Sequence, residues 1–182
     1  MVVATVVGVL VGIVTYRSAW ADRLATRTAS ALLTVPSLAL IGLLVPLVGP
    51  GLPPTVIALT LYGLLPIARN SVLGLRPVDP ALLEAARGIG MSPLAVLTRI
   101  ALPLAAPLIL AGVRTALVLD VGTATLAAFG GGGGLDVLIT TGLTHRQAPV
   151  LVLGSVLTVA LALLVDWLAS LAEASLLRPR GL

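Results

Sequence analysis

Two charged residues, Arg114 and Asp120, interrupt an apolar run over residues 104–129. An isolated charge inside a membrane helix is costly unless it is paired or hydrated, so each needs an explanation. The two residues are six positions apart and therefore point to different sides of a helix, which predicts that they do not pair with each other. For Arg114 the alternatives are an anchor between helices and a substrate contact. Asp120 suits a residue that lines a pathway or attracts a cation, and a proton relay is the alternative.

Other residue types that carry chemistry are sparse. The chain has no cysteine, which excludes disulfides and thiolate metal sites, and the single His145 is expected to be a solvated surface residue. A glycine run at residues 130–134 lacks the Lys and Ser/Thr of a nucleotide-binding loop, and no GxxxxGK[ST] pattern occurs elsewhere. The chain is therefore not expected to hydrolyse ATP itself, and no catalytic residue, cofactor or metal is predicted.

Residues 79–103, DPALLEAARGIGMSPLAVLTRIALP, contain two helix starts around one break. Asp79 and Ser92 are each a suitable N-cap, and each is followed by a proline, which is favoured at the first helical position. The sequence GIG at residues 88–90 predicts a stop for the first helix. Pro103 is expected to end the second helix or to kink it into the apolar run that follows. The predicted structure is a helix, turn, helix hairpin.

The remainder of the 182-residue chain is strongly apolar, with 58% hydrophobic residues, 10% charged residues and a mean hydropathy of +1.15. Globular proteins are roughly half apolar and about a quarter charged, so the composition predicts a membrane protein without a soluble domain. The formal charge of +4 would suit nucleic acid, but the basic residues are all Arg and are scattered between apolar blocks. Nucleic-acid binding is therefore not expected.

A bilayer crossing takes about 20 residues, which leaves room for about five crossings in one membrane domain over residues 1–182. The predicted crossings lie near residues 1–16, 30–48, 55–68, 104–129 and 149–168. The first is short, and among hydrophobic mismatch, snorkelling and a start placed too late we favour the last, a first helix truncated at its N-terminus. Pro36 predicts a kink whose freed carbonyl needs a Ser, a Thr or a neighbouring helix. Arg69 and Asn70 are expected to mark the end of the third crossing.

Orientation follows from the Arg residues, because short cytoplasmic loops collect them. If the hairpin lies inside, five crossings place nine Arg residues inside and only Arg146 outside, with Arg114 within a helix. The nine inside positions are Arg17, Arg23, Arg27, Arg69, Arg76, Arg87, Arg99, Arg178 and Arg180. The N-terminus is therefore predicted to face outward, and the hairpin and the C-terminus to face the cytoplasm.

The hairpin fills every position of a known pattern, which is EAA, three residues, G, nine residues, I-x-L-P. Its matching segments are Glu84-Ala85-Ala86, Gly90 and Ile100-Ala101-Leu102-Pro103. This spacing resembles the EAA loop of ABC importer permeases. Further segments resemble the osmoprotectant permeases that import glycine betaine, choline or carnitine. They are TVPSLAL at 34–40, LYGLLPIARN at 61–70, VDPALLEAARGIGMSP at 78–93, AGVRTA at 111–116 and GTATLAA at 122–128.

The resemblance implies an all-α membrane protein with the type I permease fold of ABC importers, in the inner membrane of a bacterium or archaeon. It also implies a second permease copy, identical or paralogous, two cytoplasmic ATPases and an extracytoplasmic binding protein that delivers the substrate. The positions that would couple to the ATPase are Glu84, Ala85, Ala86, Gly90, Ile100, Leu102 and Pro103. Closure of the ATPases on ATP would then move the docked hairpins and rock the attached crossings.

Candidates for the translocation pathway are few. Quaternary ammonium ions are normally held by aromatic cages, but the chain has only two Trp, two Tyr and one Phe. Tyr62 and Phe129 join Arg114 and Asp120 as pathway candidates, with ordinary helix packing as the alternative for both aromatic residues. Selectivity is therefore expected to reside in the binding protein.

The glycine run resembles the glycine-rich outer turn of the same family. Gly131, Gly133 and Gly134 are candidates for an outer gate or for the binding-protein contact, and a plain flexible turn is the alternative. Asp136 stands where the family pattern has glycine.

Two other functions compete with an importer permease. A stand-alone secondary transporter or channel would use Arg114 and Asp120, and would transport without ATP. A membrane scaffold that serves only for interaction would show no flux.

Overall fold

The computed structural model describes residues 1–16, 20, 27, 31 and 34–177, without the side chains of residues 128, 129 and 177. Every regular element among these residues is a helix, which confirms the predicted all-α class. The α-helices are α1 Val2–Thr15, α2 Ser37–Val48, α3 Leu52–Leu75, α4 Pro80–Gly88, α5 Pro93–Val96, α6 Leu102–Ala124, α7 Asp136–Thr144 and α8 Ala148–Leu177. A π-helical turn, Leu97–Ala101, joins α5 to α6, and a 3₁₀ turn, Ala127–Gly130, follows α6.

Among the described residues, three helical segments are long and apolar enough to cross a membrane, judged by length and composition alone. They are Leu52–Leu75, Pro93–Ala124 and Ala148–Leu176. With the shorter apolar helices α1 and α2, the described residues contain five apolar helices, which equals the number of predicted crossings. The predicted connection at residues 17–27 lies almost wholly outside the described residues. The tail with Arg178 and Arg180 lies outside them as well.

Helix α1 packs against α3 through two glycines. A Cβ atom on Gly8 would lie 2.8 Å from Cγ2 of Ile67, and a Cβ on Gly12 would lie 2.3 Å from Cβ of Ser71. Glycines four residues apart let two helix backbones approach closely, which favours association inside a membrane, where close packing drives it. The 14-residue α1 is therefore a packed member of the bundle even though it spans only about 21 Å.

The predicted disturbance at Pro36 is confirmed, and the helix is interrupted there. The backbone leaves helical geometry at Val35 and Pro36, and α2 begins at Ser37. The Tyr62 hydroxyl of α3 donates a hydrogen bond to the Val35 carbonyl. A neighbouring helix thus supplies the partner that the sequence required for a carbonyl freed near this proline.

Helix α3 continues past Arg69 and Asn70, the residues predicted to mark the end of the third crossing, and the position of that end stays a prediction. The helix continues to Leu75 because the polar side chains near its middle bond to their own backbone. Nδ2 of Asn70 donates to the Pro66 carbonyl at 2.8 Å, and Oγ of Ser71 donates to the Ile67 carbonyl at 2.8 Å. These bonds hide the polar atoms from the apolar surroundings, so Asn70 does not require a loop.

Both helix starts of the hairpin are confirmed. Oδ1 of Asp79 accepts a hydrogen bond from the Ala81 amide at 2.8 Å, and Oγ of Ser92 accepts one from the Ala95 amide at 3.3 Å. Each cap satisfies an amide that the first helical turn leaves without a partner. Local sequence signals therefore suffice to define where α4 and α5 begin.

Of the two effects predicted for Pro103, the end of the second hairpin helix is wrong, because the helix continues into the apolar run. Pro103 does not end a helix, because α5 runs through the π turn into α6 as one 32-residue helical segment, Pro93–Ala124. The Leu102 amide donates to the Leu97 carbonyl, five residues back. A proline cannot donate to the preceding turn, and this wider turn directly before Pro103 accommodates it without a break. The hairpin is consequently fused to a membrane helix.

The opposite end of α6 also differs from the prediction. The helix ends at Ala124, short of the predicted residue 129, and the short helix α7 follows the glycine run. Helices α7 and α8 form a tight pair, since a Cβ on Gly142 would lie 2.5 Å from the Leu151 amide nitrogen. Helix α8 extends past the predicted end at residue 168 to Leu177.

The core lies where α3 meets α1 and α6. Ala4, Ile67 and Ala116 are fully buried at this junction. We call the end of the bundle that carries residues 79–92 the hairpin end, and the end that carries residues 130–134 the glycine-turn end. Because α6 runs from one to the other, it links the two candidate functional regions directly.

Candidate functional site

The turn of the hairpin depends on Gly90. Its φ of +88° lies in the left-handed region, which favours glycine, and it closes α4. The Met91 amide donates to the Ala86 carbonyl at 3.1 Å, and the Gly90 amide donates to the Arg87 carbonyl at 2.9 Å. These two bonds form a Schellman motif, in which the glycine occupies the position after the helix. The backbone therefore explains why the pattern has glycine here.

The hairpin offers both charged and apolar surface. Glu84 and Ala85 are exposed, whereas Ala86 is only 3% exposed and faces the rest of the chain. Ile89 is 82% exposed and Leu94 is 69% exposed. Accessible apolar side chains of this size are typical of surfaces that contact another protein or a membrane.

The last part of the EAA pattern, I-x-L-P at residues 100–103, joins the hairpin to the helical bundle. Ile100 lies in the π turn, and Leu102 packs on the cluster formed by Leu75, Ala101 and Ala105. Pro103, at the start of α6, is exposed. Glu84 and Gly90 thus lie on the accessible side of the hairpin, while Ile100 and Leu102 lie at its base.

Arg114 joins α6 to α8. Its Nε donates to Oδ1 of Asp166 at 2.5 Å, and its Nη2 donates to Oδ2 of the same residue at 2.7 Å. Glu173, two turns further along α8, approaches Nη1 at 3.8 Å. Two parallel bonds between a guanidinium and a carboxylate fix both distance and orientation. This geometry agrees with the anchor alternative for Arg114.

Sequence reasoning missed the acidic partners of Arg114. Asp166 lies within the stretch predicted as the fifth crossing, and Glu173 lies just beyond it. A count of the charged residues in the apolar segments could have indicated these partners. Arg114 needed a carboxylate, and few acidic residues lie in or beside such segments.

Asp120 lies on a different face of α6, as its spacing from Arg114 predicted, and the two do not pair. It is 9% exposed, and its Oδ1 is buried without a hydrogen-bond partner among the described residues. The buried residues of α6 form a stripe of small side chains against α3, and Asp120 is the member nearest the glycine-turn end. A Cβ on Gly63 of α3 would lie 3.2 Å from Oδ2 of Asp120, so this glycine makes room for the carboxylate.

The aromatic candidates lie near the same end of the bundle. Tyr62 is 8% exposed and belongs to a buried cluster with Leu40, Ile41 and Ala58, while its hydroxyl bonds to the chain before α2. The side chain of Phe129 lies outside the described part of the structure. A pathway role for either residue stays a prediction.

The glycine run forms a turn that only glycines adopt readily. Gly131, Gly133 and Gly134 have φ values of +81°, +82° and +138°. The Gly51 amide, in the turn before α3, donates to the Gly130 carbonyl at 2.7 Å. The turn after α6 is therefore tied to the turn between α2 and α3.

Asp136 begins α7 immediately after this turn. It is 2% exposed, its Oδ1 accepts from the Val137 amide at 3.1 Å, and its Oδ2 has no hydrogen-bond partner in the described chain. A carboxylate in the first turn of a helix is favoured by the helix dipole. The residue that stands in place of a glycine therefore starts a helix here.

Apolar helices joined by a charged anchor, with an exposed helical hairpin fused to one of them, define a helical membrane protein. Residues 4–178 match the model of a family described as the binding-protein-dependent transport system inner membrane component. The chain belongs to this family. It is a permease subunit of an ABC importer, works with an ATPase and a binding protein, and leaves ATP hydrolysis to a separate subunit.

Curated relatives agree with this assignment. The choline transport system permease protein OpuBB of Bacillus subtilis is 44% identical over 149 residues, which cover 82% of this chain and 68% of the relative. The osmoprotectant import permease protein OsmW of Salmonella typhimurium is 38% identical over 184 residues, covering 98% and 85%. The glycine betaine/carnitine/choline permease protein OpuCB of B. subtilis is 40% identical over 149 residues, covering 82% and 68%.

Solved structures share the fold. A chain of the methionine ABC transporter MetNI in an inward-facing conformation superposes with a TM-score of 0.83 at 23% identity, covering 97% of this chain and 88% of that chain. A chain of an amino acid ABC transporter superposes with a TM-score of 0.67 at 22% identity, covering 95% and 87%. The predicted permease fold is confirmed.

Proposed function

We propose that this permease translocates a small osmoprotectant such as glycine betaine, choline or carnitine, delivered by an extracytoplasmic binding protein. The names of three relatives that are 38–44% identical support this substrate class. The chain works beside a second permease, identical or paralogous, and two ATPases. Its N-terminus faces outward and its hairpin faces the cytoplasm, in keeping with the distribution of Arg residues.

One observation carries the coupling mechanism, namely the fusion of the exposed hairpin to α6. Glu84, Ala85 and Gly90 contact the ATPase, while Ile100, Leu102 and Pro103 transmit its movement to the membrane helices. Because the segment Pro93–Ala124 is one helical unit, a displacement of the hairpin reaches the glycine-turn end. The energy of ATP therefore enters through the hairpin.

The bond between Gly51 and Gly130 suits an outer gate. It joins the turn before α3 to the turn after α6, which are the two ends that must separate to admit solute from outside. The positive φ values of Gly131, Gly133 and Gly134 keep this turn in a compact shape. Movement of α6 then changes the gate directly.

Co-purification with the partner ATPase tests the coupling proposal. Gly90→Asp places a side chain at φ +88° and is expected to remove the ATPase from the purified complex. Gly88→Asp is the matched control, because Gly88 lies in the same hairpin with open space and no positive φ. It is expected to retain the ATPase. Equal retention by both variants would contradict docking through this turn.

A further inference from the structure

The carboxylate of Asp120 lies in the contact between α6 and α3, next to small residues of both helices. On α6 the stripe that faces α3 consists of Ala105, Gly112, Ala116 and Asp120, and opposite Asp120 stands Gly63. An acidic side chain in a stripe of small residues is not needed for close packing, which Ala or Ser would serve equally well. Some other requirement therefore retains the charge.

No Arg side chain of the described residues forms an ion pair with Asp120. The only Arg within α6, Arg114, is paired with Asp166 and Glu173 of α8, at a different contact from the one between α6 and α3. The amino group of Met1 is near enough to act on the Asp120 carboxylate electrostatically, but no ion pair joins them among the described residues. A buried carboxylate without a bonded cation is costly in a membrane protein unless it binds a proton or meets a cation in another state of the protein.

Resting on the proposed function, we propose that Asp120 binds the cationic head group of the transported solute between α3 and α6. A quaternary ammonium group keeps its positive charge because it has no proton to lose, and it pairs with a carboxylate by charge alone. Aromatic cages usually supply this recognition, but Tyr62, beside Gly63, is committed to the buried cluster with Leu40 and Ile41. Asp120 therefore provides the attraction that aromatic side chains provide elsewhere.

The position of Asp120 fits an early contact of the incoming solute. It lies four residues before Ala124, about 6 Å from the glycine-turn end of α6. Beyond that end, Leu126 packs on the cluster of Tyr62, and Gly130 bonds to Gly51. Separation of these two turns uncovers the contact between α3 and α6 first at Asp120. The residual 9% exposure of Asp120 is consistent with such an opening.

Direct binding to the purified complex tests this site without interference from the binding protein. The complex of permeases and ATPases, prepared without binding protein, is titrated with radiolabelled choline and, separately, glycine betaine. The unmodified complex is expected to bind saturably. Asp120→Asn is expected to raise Kd at least about tenfold, which corresponds to about 1.4 kcal/mol. Asp120→Glu, which keeps the charge, is expected to retain binding.

Two controls separate a binding role from a structural one. Asp136→Asn removes another buried carboxylate that has an unpartnered oxygen and is expected to leave Kd unchanged. A short extension before Met1 moves the terminal amine away from Asp120 and is also expected to leave Kd unchanged. Asp120→Ser, which suits the stripe of small residues, replaces Asp120→Asn if the latter does not assemble.

The outcomes distinguish this inference from the proposed function. An unchanged Kd in Asp120→Asn, or no saturable binding by an unmodified complex that does take up choline with its binding protein, overturns the role of Asp120 alone. Failure of the unmodified complex with its binding protein to take up choline, glycine betaine or carnitine overturns the proposed substrate class.

Discussion

At the scale of single residues, charge pairing explains how a polar side chain is tolerated within an apolar helix. Arg114 meets Asp166 through two short bonds, and the pair joins α6 to α8 midway along α6. Either charge alone in this environment would be unfavourable, so the two residues stabilise the structure as a unit. The pair therefore anchors α8, which packs on both α7 and α6.

Removal of one partner is expected to destabilise the permease more than removal of both. Arg114→Gln and Asp166→Asn each leave one charge unpaired and should lower the midpoint of thermal unfolding in detergent. The double variant Arg114→Gln/Asp166→Asn should recover part of that loss, because no isolated charge remains. Glu173→Gln, at 3.8 Å from Arg114, should have a smaller effect. A double variant whose loss equals the sum of the single losses would contradict the pairing.

At the scale of helices, glycines set the distances between neighbouring helices because they have no side chain. Gly12 brings α1 against Ser71 of α3, and Gly112 brings α6 against Asn70 of the same helix, where a Cβ would lie 2.7 Å from Cβ of Asn70. Helix α3 therefore makes close backbone contacts on two sides, with α1 and with α6. These contacts position Gly63 and Asp120 opposite each other.

The glycine contact between α1 and α3 predicts a specific sensitivity. Gly12→Ala introduces a Cβ 2.3 Å from Cβ of Ser71 and should lower the free energy of unfolding by about 1–3 kcal/mol, because backbones must move apart. Gly42→Ala in α2 meets nothing within 4 Å and should be neutral or stabilising by up to about 1 kcal/mol. Thermal unfolding of the two variants in the same detergent provides the measurement. Equal stability of both variants would contradict the packing.

Sequence signals predicted those features of the helices that are local. The caps at Asp79 and Ser92 and the break after Gly88 depend on nearest neighbours along the chain, and all three appear as expected. The sequence left open whether Pro103 ends the helix or lets it continue, since the outcome depends on a π turn that packs on Leu75 of another helix.

Features of the candidate site divide in the same way. The hairpin pattern and the separation of Arg114 from Asp120 around α6 follow from spacing alone. The link from Arg114 to Asp166 spans 52 positions and requires the fold, as does the position of Gly63 opposite Asp120. The sequence thus indicates which charges need partners, and the fold decides which partners they meet.

At the scale of the whole molecule, α6 connects the hairpin end to the glycine-turn end. The hairpin is exposed, with Ile89 82% accessible, and the opposite end is closed by the bond between Gly51 and Gly130. This arrangement suits a subunit that receives movement at one end and opens at the other. The proposed orientation places the first end in the cytoplasm.

Introduced cysteines test that orientation, because the natural chain contains none. Ile89→Cys and His145→Cys both lie at exposed positions on opposite ends of the bundle. A membrane-impermeant thiol reagent is expected to label His145→Cys in intact cells, and Ile89→Cys only after the membrane is opened. The reverse pattern would contradict the proposed orientation.

Uptake by proteoliposomes that contain the permease, with or without its ATPase and binding protein, tests the central claim most directly. We expect accumulation of radiolabelled choline or glycine betaine only when ATPase, ATP and binding protein are all present. Gly90→Asp should abolish this accumulation, and Gly88→Asp should preserve it. Transport driven by a solute or ion gradient alone, unaffected by Gly90→Asp, would contradict the account of an ATP-coupled permease.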